Sequence, residues 1–287
     1  MMKTKTLVIL TILLQCILSE LHLLCFAMDP PFKQNAAALD LEETPDDCTF
    51  AELKQIAQEI IYLFPPDQYL YIGIGRSPAP VIAWLQVKTQ AKDTVQIPLS
   101  NFKLCKPIGF DNIGIPEFPS DDSRAKLFRH FDSYLRINSG FQKKWLVIDV
   151  AETGNTLRSA GFALREYAAE HDLDNSVEML AISENDQEKQ DYLNMGMHVA
   201  MAEYKPGAEN CVTALENFLI FGPGKKYAPY GKLNWPDLLN TPNLPQQSAT
   251  STGYDSLLKL IQNWTASIAL TVFWTITLAP KRDPSAE

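Results

Sequence analysis

Lys144–Leu157 reads KWLVIDVAETGNTL. Trp145–Ile148 is an unbroken apolar run rich in aromatic and β-branched residues, which predicts a buried strand ending on Asp149. Val150–Asn155 is then a loop. From Thr156 onward Leu157, Ala160, Leu164, Tyr167 and Ala168 recur at helical spacing. This strand–loop–helix unit is one half of a parallel arrangement. The other half is Tyr69–Leu85, where the strand YLYIGI is followed by a Gly75-Arg76-Ser77-Pro78 turn and a helix opening at Pro80.

Working outward, Thr49-Phe50-Ala51-Glu52 has a capping-box pattern, and Phe50, Leu53, Ile56, Ile60 and Phe64 follow on one helical face before Pro65-Pro66. Val95–Pro98, Val177–Ile182 and Met197–Ala202 read as further strands, with a polar helix over Glu184–Tyr192. Ser120-Asp121-Asp122 caps a helix burying Leu127, Phe128, Phe131 and Leu135. Strands alternating with helices predict an α/β fold, a parallel sheet with helices on both faces.

The chain is 287 residues long with a formal net charge of -9. That length buries a sizeable core, and the acidic balance argues against a broad nucleic-acid surface, which needs clustered positive charge. Five scattered cysteines suit neither a disulfide scaffold nor a zinc site. The two ends differ from the middle. Lys3 and Lys5 precede an apolar run, Leu7–Leu18, and small Ala27 follows a second one, the layout of a secretory signal over residues 1–27. An uncleaved anchor and a misplaced start are the alternatives. Cleavage would leave 23 Lys+Arg against 33 Asp+Glu, a balance of -10, with three cysteines, Cys48, Cys105 and Cys211.

Residues 28–48 read as an extended lead-in, 49–234 as the α/β domain and 235–253, rich in Pro, Asn, Gln, Ser and Thr, as a linker. Residues 254–287 hold an apolar segment, with Leu260–Pro280 free of formal charge and bracketed by Lys259 and Lys281-Arg282. A single membrane span and a helix packed on the core are both open to it. Spanning would make 260–280 a membrane contact with Lys281-Arg282 facing the cytoplasm. His130, His171 and His198 are isolated, better suited to satisfied core or surface positions than to metal ligation. Asn263-Trp264-Thr265 is a glycosylation sequon placed in the apolar tail.

Both loops leave the C-terminal ends of strands, where open α/β sheets bind ligands. In the first, Gly73, Gly75 and Ser77 can turn backbone N–H groups inward, and Arg76 supplies a forked cation for phosphate oxygens. A plain β–α turn with Arg76 in solvent is the bland alternative. In the second, Asp149 can accept from ribose hydroxyls, while Thr153, Gly154, Asn155 and Thr156 offer hydroxyl and N–H groups at a helix N-terminus. An ordinary helix cap is the alternative there.

Taken as an ordered pair, the loops resemble those of type I phosphoribosyltransferases. YIGIGRSPAPVIAWL (Tyr71–Leu85) is similar to that family's pyrophosphate loop, and WLVIDVAETGNTL (Trp145–Leu157) to its phosphoribosyl-pyrophosphate motif. The long Cys105–Asp122 segment falls where the family carries its mobile catalytic loop, so the resemblance covers about Tyr69–Ala202. It implies a phosphorylated small molecule as ligand, with Arg76 on pyrophosphate, Asp149 on the ribose and Thr153–Thr156 around a 5′-phosphate. It also implies Mg2+, and transfer of a phosphoribosyl group to an acceptor that the sequence leaves unidentified. The chain departs from the pattern in having one acidic residue at the motif's head, Asp149 after Ile148, and Ser77-Pro78 in place of a glycine pair. A secreted protein would not ordinarily meet phosphoribosyl pyrophosphate. An exported protein acting inside another cell, and a non-catalytic nucleotide or phosphate binder or an interaction protein on a degenerate transferase fold, therefore stand beside a transferase.

Overall fold

The structure, a computed structural model, describes residues 47–90, 94–104, 115–136, 141–173, 175–183, 186–202, 214, 234–240 and 255–266. The chain divides into two units, Pro45–Trp264 and the two ends Met1–Thr44 with Thr265–Glu287. The expected signal, most of the lead-in and most of the C-terminal apolar segment lie outside the described residues, as do residues 105–114 of the long loop.

The first unit runs α1 (Asp47–Leu63), β1 (Tyr69–Ile74), α2 (Ala79–Thr89), β2 (Thr94–Ile97), α3 (Asp121–Leu135), β3 (Lys144–Val150), α4 (Asn155–Glu170), β4 (Val177–Ser183), α5 (Asp186–Asn194), β5 (His198–Met201) and α6 (Trp235–Asn240). Residues 255–266 form a further helix, α7. Five strands make one sheet in the order β2-β1-β3-β4-β5, and every pairing is parallel. The near-continuous apolar runs of β1 and β3 follow from burial on both sides, since a parallel strand has no solvent face to supply with polar residues.

Successive strand residues point to opposite faces, and two apolar clusters divide them. Tyr69, Tyr71, Leu146, Ile148, Leu180 and Ile182 join Phe50 and Ile60 of α1, Val81 and Trp84 of α2, and Leu257, Leu260 and Ile261 of α7. Leu70, Ile72, Trp145, Val147, Met179 and Ala181 join Leu127 and Phe131 of α3 and Leu164 and Tyr167 of α4. α2 is apolar around most of its circumference, and Ala79–Leu85 are all buried. Each such leucine, isoleucine or phenylalanine contributes about 1.5–3 kcal/mol of transfer free energy.

Several boundaries differ from the sequence reading. α1 is already helical at Asp47, so Thr49 lies inside it and is not its N-cap. Ser120 does cap α3: its hydroxyl accepts from the Ser123 N–H at 3.2 Å. Val150 continues β3 and Asn155 opens α4, which shortens the second loop to Ala151–Gly154. Trp235–Asn240, the first six residues of the expected linker, are helical. Trp235 and Leu238 are both buried, the Trp235 ring lies edge-on to Phe102 at 5.0 Å, and the Trp235 N–H reaches the Ser100 carbonyl at 3.0 Å. In α7, Trp264 stacks on Phe50 at 5.2 Å and meets Trp84 edge-on at 5.4 Å. The first residues of the segment read as 260–280 thus pack on the core, and those beyond 266 lie outside the described residues. Among the described residues no helix is long and apolar enough to cross a membrane.

Candidate functional site at the β1 and β3 loops

After β1 the chain moves to β2 on one side of the sheet, and after β3 it moves to β4 on the other. The winding direction therefore reverses between β1 and β3, which are directly paired through Gly73 opposite Ile148. Loops leaving two parallel neighbours at such a reversal diverge and leave a crevice between them. The loops are Gly75–Pro78 and Ala151–Gly154, the two that carry the expected site residues.

The first loop is largely committed to the fold. Gly73 is not in it: it sits in β1 between Gln96 and Ile148. A Cβ there would run into the Gln96 side chain and Ile82 of α2, so its missing side chain serves close packing. Gly75 adopts a left-handed φ of 78°, which a side chain rarely tolerates. Its N–H donates to the Ile97 carbonyl at 3.0 Å, and its carbonyl accepts from the Gln96 amide. Expected as a phosphate donor, the Gly75 N–H is thus already used. The Ala79 N–H, in turn, donates to the Arg76 carbonyl at 3.0 Å, and Pro78 and Pro80 have none. What the loop offers a ligand is Arg76, whose half-buried guanidinium forms no ion pair and whose N–H meets no acceptor among the described residues, with Ser77 beside it.

The second loop is different. Its first N–H, of Ala151, donates to the Ile182 carbonyl at 2.9 Å. No described residue accepts the N–H groups of Glu152, Thr153 or Gly154. Gly154 is the N-cap of α4, with φ 68° and ψ -5°, and the first intrahelical bond returns from Arg158 to its carbonyl at 2.9 Å. Ahead of that bond, Asn155, Thr156 and Leu157 have no intrahelical acceptor. A left-handed residue at a helix entry turns successive N–H groups toward one point, an arrangement suited to an anion. Thr153 and Asn155 add polar side chains at the rim, linked by Asn155 Nδ2 donating to Thr153 Oγ1 at 3.2 Å. Asp149 is buried at 8% exposure near the end of β3, and alternation places it on the face of Trp145 and Val147.

A residue that sequence reading missed holds this loop. The Tyr192 hydroxyl lies 3.0 Å from the Ala151 carbonyl, 3.1 Å from the Glu152 carbonyl and 2.9 Å from Glu188 Oε2. Its ring would meet a Cβ on Gly154 at 3.3 Å, as would Met197. Burial raises its phenol above the ordinary tyrosine range, and the hydrogen bond to Glu188 adds to this, so the hydroxyl remains a donor. Only its aromatic character and its place in a polar helix were visible beforehand.

A groove of about 510 Å3 lies elsewhere, between the segment entering α3 and the α4 surface, lined by Phe118, Asp121, Arg124, Phe162 and Glu166 among others. None of the loop residues lines it. Arg124 there is paired with Glu170 at 2.8 Å. Among the described residues no group of three or more His, Cys, Asp or Glu is arranged to hold a metal ion. His130 is a satisfied core histidine, its Nε2 being 2.8 Å from the Pro98 carbonyl. His198 is bonded to Glu178 at 2.9 Å.

Fold and loops together define an α/β protein with an all-parallel five-stranded sheet and a candidate anion site at the point where its winding reverses. No protein-family model, curated protein or solved structure matches the chain.

Proposed function

We propose that the chain is a phosphoribosyltransferase-like α/β protein, with helices on both faces of its sheet, that binds a ribose phosphate or nucleotide in the β1–β3 crevice. One observation carries the reading: Glu152, Thr153 and Gly154 present three consecutive N–H groups without a described acceptor, directly before the α4 N-terminus. A phosphate monoester bound there would be met by backbone dipoles already oriented, which costs little reorganisation. In this reading Thr153–Thr156 hold the 5′-phosphate, Asp149 accepts from the ribose hydroxyls and Arg76 reaches across to a second anionic group.

Transfer is the further step. The bond from the anomeric carbon to diphosphate would break as a bond to an acceptor nitrogen forms, through an oxocarbenium-like state that oriented charge and excluded water favour. Mg2+ is bound by phosphate oxygens, water and one or two carboxylates, so Asp149 and the ligand would hold it and it would offset the charge of the departing diphosphate. The first loop favours binding without transfer. With the Gly75 N–H spent and prolines at 78 and 80, the diphosphate side retains little beyond Arg76 and Ser77.

Titration of the full-length chain with ribose 5-phosphate, and with phosphoribosyl pyrophosphate plus magnesium, tests the reading. Saturable binding that Asp149→Ala weakens, with its unfolding midpoint held, supports the site, and product formation with a nitrogen acceptor separates transferase from binder. An intact fold that binds neither compound removes both. The same proposal places the protein outside the cytoplasm, on the basis of the Leu7–Leu18 run behind Lys3 and Lys5. Retention of a folded reporter in the cytoplasm when fused after residue 44 would contradict that part.

A further inference from the structure

We infer that Tyr192 is a positioning residue that turns the donors of the Ala151–Gly154 loop toward a terminal phosphate, an inference that rests on the phosphate reading of that loop. In a trans peptide the C=O and the following N–H point in opposite directions. The Ala151 and Glu152 carbonyls both face the Tyr192 hydroxyl, at 3.0 and 3.1 Å. The N–H groups in the same two peptide planes belong to Glu152 and Thr153, and they therefore point away from α5. These are two of the three N–H groups without a described acceptor. The phenol ring closes the arrangement from below, since its edge occupies the space a side chain at residue 154 would need. Gly154, with no side chain to meet the ring, holds the left-handed φ from which α4 starts.

Three acceptors share one hydroxyl proton. Glu188 Oε2, at 2.9 Å, competes with the two carbonyls for it. Glu188→Gln replaces one competing oxygen with an amide that can donate to the tyrosine oxygen, leaving the hydroxyl proton to the carbonyls. Tyr192→Phe leaves the ring in place against Gly154 and removes the hydroxyl. The two substitutions thus have opposite consequences for the loop, although each deletes one contact of the same cluster.

The test uses the full-length chain, with ribose 5-phosphate as probe. Amide resonances and N–H residual dipolar couplings of Glu152 and Thr153 in the unliganded protein follow these two peptide planes, and titration reports the consequence for binding. Expected are displaced Glu152 and Thr153 resonances in Tyr192→Phe with a roughly tenfold or greater loss of affinity, the size that follows from losing one to two hydrogen-bonding contacts' worth of preorganisation. Glu188→Gln should bind at least as well as the unmodified chain. Unmoved amides, or equal affinity in Tyr192→Phe, overturn the inference while leaving the phosphate site standing. Displaced amides in a protein that never binds the probe overturn the phosphate reading, and the inference with it, by leaving Tyr192 as a loop clamp alone. Should Tyr192→Phe fail to fold, Glu188→Gln decides: weaker binding in that variant contradicts the proton-sharing geometry.

Discussion

His130 couples the stability of the domain to pH in a way that can be worked from its surroundings. It lies on α3, 8% exposed, with its ring against Tyr134 at 5.0 Å and Nε2 near the Pro98 carbonyl just beyond β2. Burial lowers its pKa from 6.5 to about 4, although the Pro98 carbonyl acts in the opposite direction. The folded state thus resists a proton that the unfolded chain takes up readily. A histidine depressed in this way contributes fully above pH 6.5, and its contribution is lost as the pH falls through 6.5 toward 4. With about 1.4 kcal/mol per pKa unit, the loss is roughly 2 kcal/mol by pH 5 and about 3 kcal/mol at pH 4. His130→Phe keeps a ring in the core and cannot titrate, at a cost of about 1 kcal/mol for the missing hydrogen bond at neutral pH. Urea unfolding of both full-length proteins from pH 7.5 to 4 isolates the effect as a difference curve, because carboxylate contributions cancel. The variant should be less stable at pH 7 and should match or exceed the parent below about pH 5.5, where the proton penalty outweighs the lost bond. A difference curve flat across that range would refute the assignment of His130 as a neutral core residue.

Gly73→Ala would force a methyl against the Gln96 side chain and Ile82, and overpacking of this kind costs about 1–3 kcal/mol in a denaturant melt; a neutral result would mean that α2 does not press on β1 there. Gly154→Ala adds left-handed backbone strain of about 1–2 kcal/mol and brings Cβ to 3.3 Å from Tyr192 and Met197. It should lower both the melting temperature and ribose 5-phosphate binding, and loss of stability with unchanged affinity would detach the loop from the ligand. Leu257→Ala and Ile261→Ala remove side chains with no exposed surface and should each cost about 2–5 kcal/mol of domain stability. No change in unfolding would show that α7 is not part of the core.

The strands were legible because burial on both sides leaves its mark locally: YLYIGI and KWLVID can be read without knowing their partners. The reversal between β1 and β3 depends on pairing and was not legible, although placing both loops at strand ends pointed toward it. What was not legible depended on distant neighbours. Gly75 has the composition of a phosphate-binding glycine, but Ile97 and Gln96, more than twenty residues on, take both its backbone groups. Trp235–Asn240 has a linker's composition, and it is contacts with distant residues, Phe102 and Ser100 among them, that bury Trp235 and hold the helix. Tyr192 lies about forty residues from the loop it holds, in a helix that local pattern marks as merely polar. The Leu260–Pro280 run drew attention to a membrane through its lack of charge, whereas Leu257, just before it, and Trp264 within it take part in the aromatic and aliphatic packing around Phe50 and Trp84.

The most direct test follows the backbone amides of Glu152, Thr153 and Gly154 in the full-length chain as ribose 5-phosphate is added. Saturable downfield shifts at these three residues, with smaller changes at Ser77 and Gly75, are the result expected of a phosphate seated on the second loop. Shifts absent from residues 152–154 while the probe binds elsewhere, or no binding by a folded chain, would contradict the central claim.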